Sequence, residues 1–349
     1  GIEDLLESIR DQPIKIFATA PIMVSTSEAA RGIPQQDLEA LLARDDILGL
    51  GESYWQAILQ EPGRYLPALS STLIAGKTLE GHSAGAGGKN LDAYVAAGIS
   101  SCHEPIQARE VLDRLRLGMH VMIREGSIRR DLDKIAAIRD TGADLRRLVL
   151  VSDGIEPGEL MELGYMEYIV QKAVDCGFDP VTAVQMATLN VAEHFRLDHL
   201  IGGIAPGRFA DLVLVPDLRT LRADLVVSNG KVIARDGKPL VSPRPHTFSE
   251  ASLHTVHLEA HMTPEDFVLR APPGQASVTV RAIDMVTDLV TREARIEMPV
   301  RDGEILADPR NGLLKVAAVD RTNSPGKRFV GVIRGFGMKS GALASSASW

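Results

Sequence analysis

Residues 78–104 read TLEGHSAGAGGKNLDAYVAAGISSCHE, and the fold is decided there. The stretch opens on a short apolar run ending in Gly81-His82, crosses a helical pattern, GKNLDAYVAAG, and closes on a second run ending in His103-Glu104. Strand, helix and strand in succession imply two parallel strands joined by a crossover. The same texture continues on both sides. IKIFATA (14–20), ILGLGES (47–53), HVMIREG (120–126) and LVLVSDG (148–154) are β-rich runs, and PQQDLEALLARD, PIQAREVLDRLRLG and DLDKIAAIRDTG are helical patterns between them. LVLV and IKIFA are apolar almost without alternation, as expected of parallel strands covered by helices on both faces.

A doubly wound sheet and a closed barrel both satisfy this pattern, and the polar residues choose between them. Glu52, His82, His103, Glu125 and Asp153 each follow directly on an apolar stretch, which is where a barrel gathers its active-site groups at one mouth. No glycine-rich dinucleotide fingerprint opens the first helix, and GHSAGAGG lacks the spacing and the lysine of a phosphate loop. The expected fold is an α/β barrel. A long amphipathic stretch, about 159–197, ends the helical region. GGIAPGRFADLVLVPDL and LRADLVVSNGKVIARDGKPL then read as strands divided by the hairpin dipeptides Asn229-Gly230 and Asp236-Gly237. SPRPHTFSE reads as a linker, and a further α/β domain is expected from about residue 251. The domains expected are a barrel over 1–200, a small β-sandwich module over 201–245 and a C-terminal domain over 246–349.

Composition narrows the class. With 45% hydrophobic and 24% charged residues the 349-residue chain is an ordinary folded protein. A formal charge of −8 without a basic stretch argues against nucleic acid as a partner. No window approaches the roughly 18 uncharged apolar residues that span a bilayer, and GIEDLLESIRDQP has no signal-peptide regions. Two cysteines, Cys102 and Cys176, are too few for a disulfide framework and suit a reducing compartment, so a cytoplasmic enzyme without membrane contact is expected.

Glu52, His82, His103 and Asp153 are hard or borderline ligands suited to zinc, manganese or iron. A lone histidine at a strand end is more often a hydrogen-bonded structural group, but four such residues at equivalent strand ends point to a metal. A metal there would bring the pKa of its bound water near neutrality and supply hydroxide. Asp153, on the last of the six runs, is the natural residue to handle protons.

At these residues the chain resembles the amidohydrolase superfamily, and within it the adenine deaminases. The resemblance runs almost end to end: GLGE (49–52), GH (81–82), HE (103–104), GM with MIREGS (118–127), SDG (152–154), AVQMATLNVAEHF, GGIAPGRFADLVLV and GFGMKSGALASS. It implies an incomplete (β/α)8 TIM barrel of the metal-dependent hydrolase type, strands three to eight present, and hydrolysis of adenine to hypoxanthine and ammonia by a metal-activated hydroxide. The implied site is binuclear, with manganese, iron or zinc. Glu52 would bridge the metals, His82 and His103 would bind them, and Asp153 would bind metal and shuttle protons. Asp153, Glu52 and His103 form the implied catalytic set. Arg124, Glu125 and Ser127 are candidate substrate contacts, with a salt-bridged and capped strand end as the equal alternative. The partner implied is a small purine or related heterocycle, and the complete protein is expected to be a homo-oligomer.

The family opens its barrel with a strand ending in His-X-His, and this chain has no such pair; His254-Thr-Val-His257 has the wrong spacing and lies beyond the barrel. IKIFATA is therefore expected to be strand three, with family sequence missing at both ends and this chain inactive by itself. Glu80 and Cys102 stand where the family has aspartates, and Asp153-Gly154 and Gly164-Tyr165-Met166-Glu167 depart from its eighth-strand pattern. These changes keep open a cyclic amidohydrolase, a deaminase of another aminated heterocycle, or an inactive barrel remnant.

Overall fold

The computed structural model describes residues 1–22, 32–258, 261–287, 290–322 and 324–344. Two compact units emerge, one from residues 2–22 and 33–247, the other from residues 248–344. In the first, all six β-rich runs form strands: β1 Ala18–Ala20, β2 Ile47–Tyr54, β3 Thr78–His82, β4 Ser101–Cys102, β5 His120–Arg124 and β6 Leu148–Val151. They pair in parallel as two sheets, β1-β2-β3 and β4-β5-β6. The two sheets meet where the Ser100 amide donates to the Leu79 carbonyl at 2.9 Å. Helices Gln35–Leu42, Pro62–Ile74, Gly88–Ala96 and Ala108–Arg116 lie between successive strands. This alternation makes the first unit an α/β fold of parallel strands.

The cores follow the two sheets. Leu50, Leu79, Leu69, Leu91 and Tyr94 are buried around β2 and β3, while Val121, Ile123, Leu148, Ile169 and Ala183 are buried around β5 and β6. IKIFATA pairs only through its last three residues, because Ile14, Ile16 and Phe17 stay partly exposed ahead of β1. The long amphipathic stretch resolves into four helices, Pro157–Leu163, Met166–Asp175, Pro180–Ala187 and Leu189–His194. Gly164 at φ 96° separates the first two, and Asp179 starts the third by accepting from the Thr182 amide at 3.0 Å.

Strands β7 Leu212–Leu214, β8 Leu225–Ser228, β9 Lys231–Arg235 and β10 Lys238–Pro239 form an antiparallel sheet. Its tight turns sit at the two predicted dipeptides, where Asn229 and Asp236 adopt the left-handed φ values of 49° and 48° that such hairpins need.

The second unit corrects the expectation of an α/β domain. It is built on β11 Ser277–Met285, β12 Thr291–Arg301, β13 Glu304–Ile305, β14 Leu313–Val319 and β15 Arg328–Arg334, in the order β13-β12-β11-β15-β14. Its helical parts, among the described residues, are the turn Glu250–Leu253 and two 3-10 turns. The reason is period: SVTVRAID alternates every second residue, burying Ala282 and keeping Arg281 outside. Of the GFGMKSGALASS motif, Ser345 and Ser346 lie outside the described residues. Among the described residues no helix is long and apolar enough to cross a membrane.

One buried polar contact ties the helical end of the first unit to its strands. His194 Nε2 lies 2.9 Å from both carboxylate oxygens of Glu80 on β3, and Ser101 Oγ on β4 donates to the same carboxylate at 2.5 Å. Burial would raise the Glu80 pKa, but His194, Ser101 and Thr78 together hold the group below the usual carboxylate range. Removing one partner of such a pair leaves an uncompensated charge in the core. His194→Ala is therefore expected to lower unfolding free energy by about 3–5 kcal/mol, read from urea denaturation; a loss of under about 1 kcal/mol would show that Glu80 is not held this way.

Candidate metal centre

Parallel strands deliver their carboxyl ends to one side of a sheet, and three of the expected ligands arrive there together. Glu52 lies near the end of β2, His82 closes β3 and His103 follows β4. Their ligating atoms all lie within 4.8 Å of one another. A Glu52 oxygen contacts His82 Nδ1 directly and stands 3.6 Å from His103 Nε2. The two imidazoles meet edge to face with ring centres 5.2 Å apart.

Close backbone approach makes this possible. A β-carbon on Gly81 would lie 2.4 Å from the Ser101 carbonyl oxygen, so the Gly before His82 lets β3 lie against β4. Gly126 has the same role beyond β5, where a β-carbon would fall 2.0 Å from the Ser152 carbonyl. The His82 amide donates to the Tyr94 hydroxyl at 2.9 Å, and that hydroxyl donates to the Ser53 carbonyl. On the flanks, Ser83 Oγ and Cys102 Sγ lie 2.7 Å apart, and the buried Arg114 guanidinium donates to Ser83 Oγ at 3.0 Å.

The fourth expected ligand, Asp153, lies outside that group of three among the described residues. It is held to the group through an ion-pair chain that the sequence reading missed. Arg124 Nη1 donates to Asp153 Oδ2 at 3.2 Å and to Glu104 Oε1 at 2.7 Å, and Arg124 Nε donates to Asp131 Oδ2 at 3.2 Å. Glu104 Oε1 in turn stands 3.3 Å from His103 Nε2 and 3.6 Å from His82 Nδ1. Glu104 was legible only as the neighbour of His103 in the HE motif. Arg124, with a side chain 3% exposed, is spent on these carboxylates. Glu125 accepts from the Leu132 amide at 3.3 Å, and its burial pushes its pKa up. Ser127 Oγ donates to Glu159 Oε2 at 2.8 Å and accepts from the Glu156 amide at 2.6 Å. Arg124 is thus ion-paired, and Glu125 and Ser127 are hydrogen-bonded, at this strand end.

Charge at the site is strongly coupled. Burial would lift the Glu52 pKa, yet hydrogen bonds from His103 and His82 bring it down to about 2. Burial would lower that of His103, but hydrogen bonds to Glu104 and Glu52 push it up to about 10. Burial also acts to raise Glu104, and His103, His82 and Arg124 together hold it low. Two imidazoles and a carboxylate with converging ligand atoms suit a divalent cation. The buried Glu104 Oε2 has no hydrogen-bond partner among the described residues.

Imidazole and carboxylate drawn from successive parallel-strand ends are the equipment of a metal-dependent hydrolase of the α/β class. The sequence comparisons agree: the family described as "Amidohydrolase family" matches residues 1–233, so the chain belongs to the amidohydrolase family. Within that superfamily it is similar to adenine deaminases, and the family described as "Adenine deaminase C-terminal domain" matches residues 288–349. Over its whole length the chain is 36% identical to the adenine deaminase of Moorella thermoacetica and 34% identical to that of Clostridium botulinum (strain 657 / Type Ba4). It covers 60% and 59% of those proteins, about three-fifths of the curated relatives' length. Among solved structures, N-acetylglucosamine-6-phosphate deacetylase from Pasteurella multocida is 16% identical with a TM-score of 0.49, over 67% of this chain and 71% of that one.

A ligand imidazole must be neutral, whereas the carboxylates of Glu104 and Glu52 raise the His103 pKa and favour its protonated form in the metal-free chain. Metal uptake must then displace a proton, so affinity for Zn²⁺ or Mn²⁺ is expected to climb between about pH 6 and 9. Calorimetry in buffers of different ionisation enthalpy checks this: about one proton released per metal supports it, and flat affinity with buffer-independent heat overturns it.

Proposed function

We propose that the protein carrying this chain is a hydrolytic adenine deaminase, converting adenine and water to hypoxanthine and ammonia. The observation that carries this reading is the convergence of Glu52, His82 and His103 at one strand-end mouth, in a chain matched along its full length by adenine deaminases. On this reading β1 to β6 are strands three to eight of a (β/α)8 barrel spanning residues 1–200, with the β module over 201–245 and a C-terminal domain over 246–349. The metal centre is binuclear, with manganese or iron as the preferred ions, and the protein is a cytoplasmic homo-oligomer of purine salvage.

Glu52, His82 and His103 would hold the metal. When bound, it supplies a nucleophile from water near neutral pH. The remaining work falls to side chains. Asp153, 41% exposed and held at Oδ2 by Arg124, is the proton carrier. A C–O bond forms at the purine carbon bearing the amino group, the C–N bond breaks, and the proton taken from water passes through Asp153 to the departing nitrogen as ammonia. Arg124, Glu125 and Ser127 serve substrate binding indirectly, by fixing the wall from which Asp153 projects.

Asp153→Asn, in metal-loaded protein, is expected to lower kcat by about 10²- to 10⁴-fold while metal content stays unchanged. Hypoxanthine and ammonia are measured together. Metal-replete protein that leaves adenine untouched would overturn adenine as substrate, and a ring-opened carboxylate from a cyclic amide would establish the rival amidohydrolase reading.

A further inference from the structure

His82 Nδ1 and His103 Nε2 are flanked by two carboxylates, and the second of these is Glu104. Its side chain is 2% exposed. Arg124 engages Oε1, while Oε2 is buried with no hydrogen-bond partner among the described residues. A buried carboxylate oxygen without a partner costs free energy unless another group satisfies it. The other oxygen, Oε1, carries the ligand spacing. Ligands bound at about 2.0–2.1 Å around a tetrahedral metal stand about 3.3–3.4 Å from one another. Glu104 Oε1 is 3.3 Å from His103 Nε2 and 3.6 Å from His82 Nδ1, and a Glu52 oxygen is 3.6 Å from His103 Nε2.

We infer that Glu104 is a metal ligand on the same ion as His82 and His103, anchored for that role by Arg124. The inference rests on the metal-hydrolase reading above. It gives Glu104 the place beside the histidines that the resemblance assigned to Asp153, and leaves Asp153 free for proton transfer.

Cobalt(II) tests this, because its visible absorption reports the ligand set directly. Glu104→Gln keeps an oxygen able to accept from Arg124 but removes the charge. Its affinity for Co²⁺ is expected to fall by at least about 100-fold, beyond the roughly 10- to 100-fold that losing an outer hydrogen-bond partner costs, and the absorption bands of bound Co²⁺ should change in position and intensity. Circular dichroism establishes that the variant is folded; if it is not, Glu104→Asp is read in the same way, with weakened binding and altered bands expected. Unchanged Co²⁺ bands in a folded variant, whatever the affinity, overturn Glu104 as a ligand. Failure of the wild-type protein to bind Co²⁺ at all would sink the metal-hydrolase reading with it.

Discussion

The guanidinium of Arg124 is almost sealed from water, and a buried cation in that position demands counter-charges around it. Three carboxylates meet the demand, and they come from different parts of the chain: Glu104 just beyond β4, Asp153 just beyond β6 and Asp131 at the start of the helical turn after β5. A single side chain at the end of β5 thus binds the strand ends on both its sides. Breaking it would leave three acids crowded at one mouth. Because Glu104 also abuts both histidines, the electrostatic anchor and the metal centre are one structure. Glu104, Asp131 and Asp153 share one fixed guanidinium there, and Glu52 adds a fourth carboxylate beside the histidines. A divalent cation is the natural complement.

Beneath the ligands lies a layer of polar contacts that holds the strands in register. Tyr94, fully buried, joins the backbones of β2 and β3 through its hydroxyl. Cys102 and Ser83 link the residue before His103 to the residue after His82. Glu80 and Ser101, each two residues ahead of a ligand histidine, meet each other and His194. His120 lies against that histidine with its ring tilted by 53° and ring centres 4.5 Å apart, and burial, reinforced by His194, lowers its pKa to about 4. Glu80 and Cys102 thus have separate partners: Glu80 meets His194 at the helical end of the fold, and Cys102 meets Ser83. Outer contacts of this kind orient ligands and tune a site.

Much of this was readable from the chain alone. The six β-rich runs are all strands, the two Asn-Gly and Asp-Gly dipeptides are tight turns, and the three strand-end residues Glu52, His82 and His103 converge. Each depends on local information: apolar runs, dipeptides with left-handed backbone, polar residues at a strand's carboxyl end. The C-terminal unit differs from the expected α/β domain because its long runs, such as SVTVRAID, alternate every second residue and pair as strands. Glu104 escaped notice for another reason. One residue past a histidine, it gives no periodic signal, and its role arises from Arg124, twenty positions away.

Sequence by itself determined the order and parallel direction of the strands and the kind of residue each presents at its end, since these follow from period and polarity within a few residues. Tertiary structure alone decided which nitrogens and oxygens meet. Asp153 is drawn to Arg124, Glu104 is brought against the two histidines, and Glu80 is turned to His194, because side chains on separate strands are set by interstrand register and by the need to neutralise charge where water is excluded. The pair of histidines with Glu52 was written in the chain; the carboxylate that joins them, and the arginine that holds it, appear only when the strands are assembled.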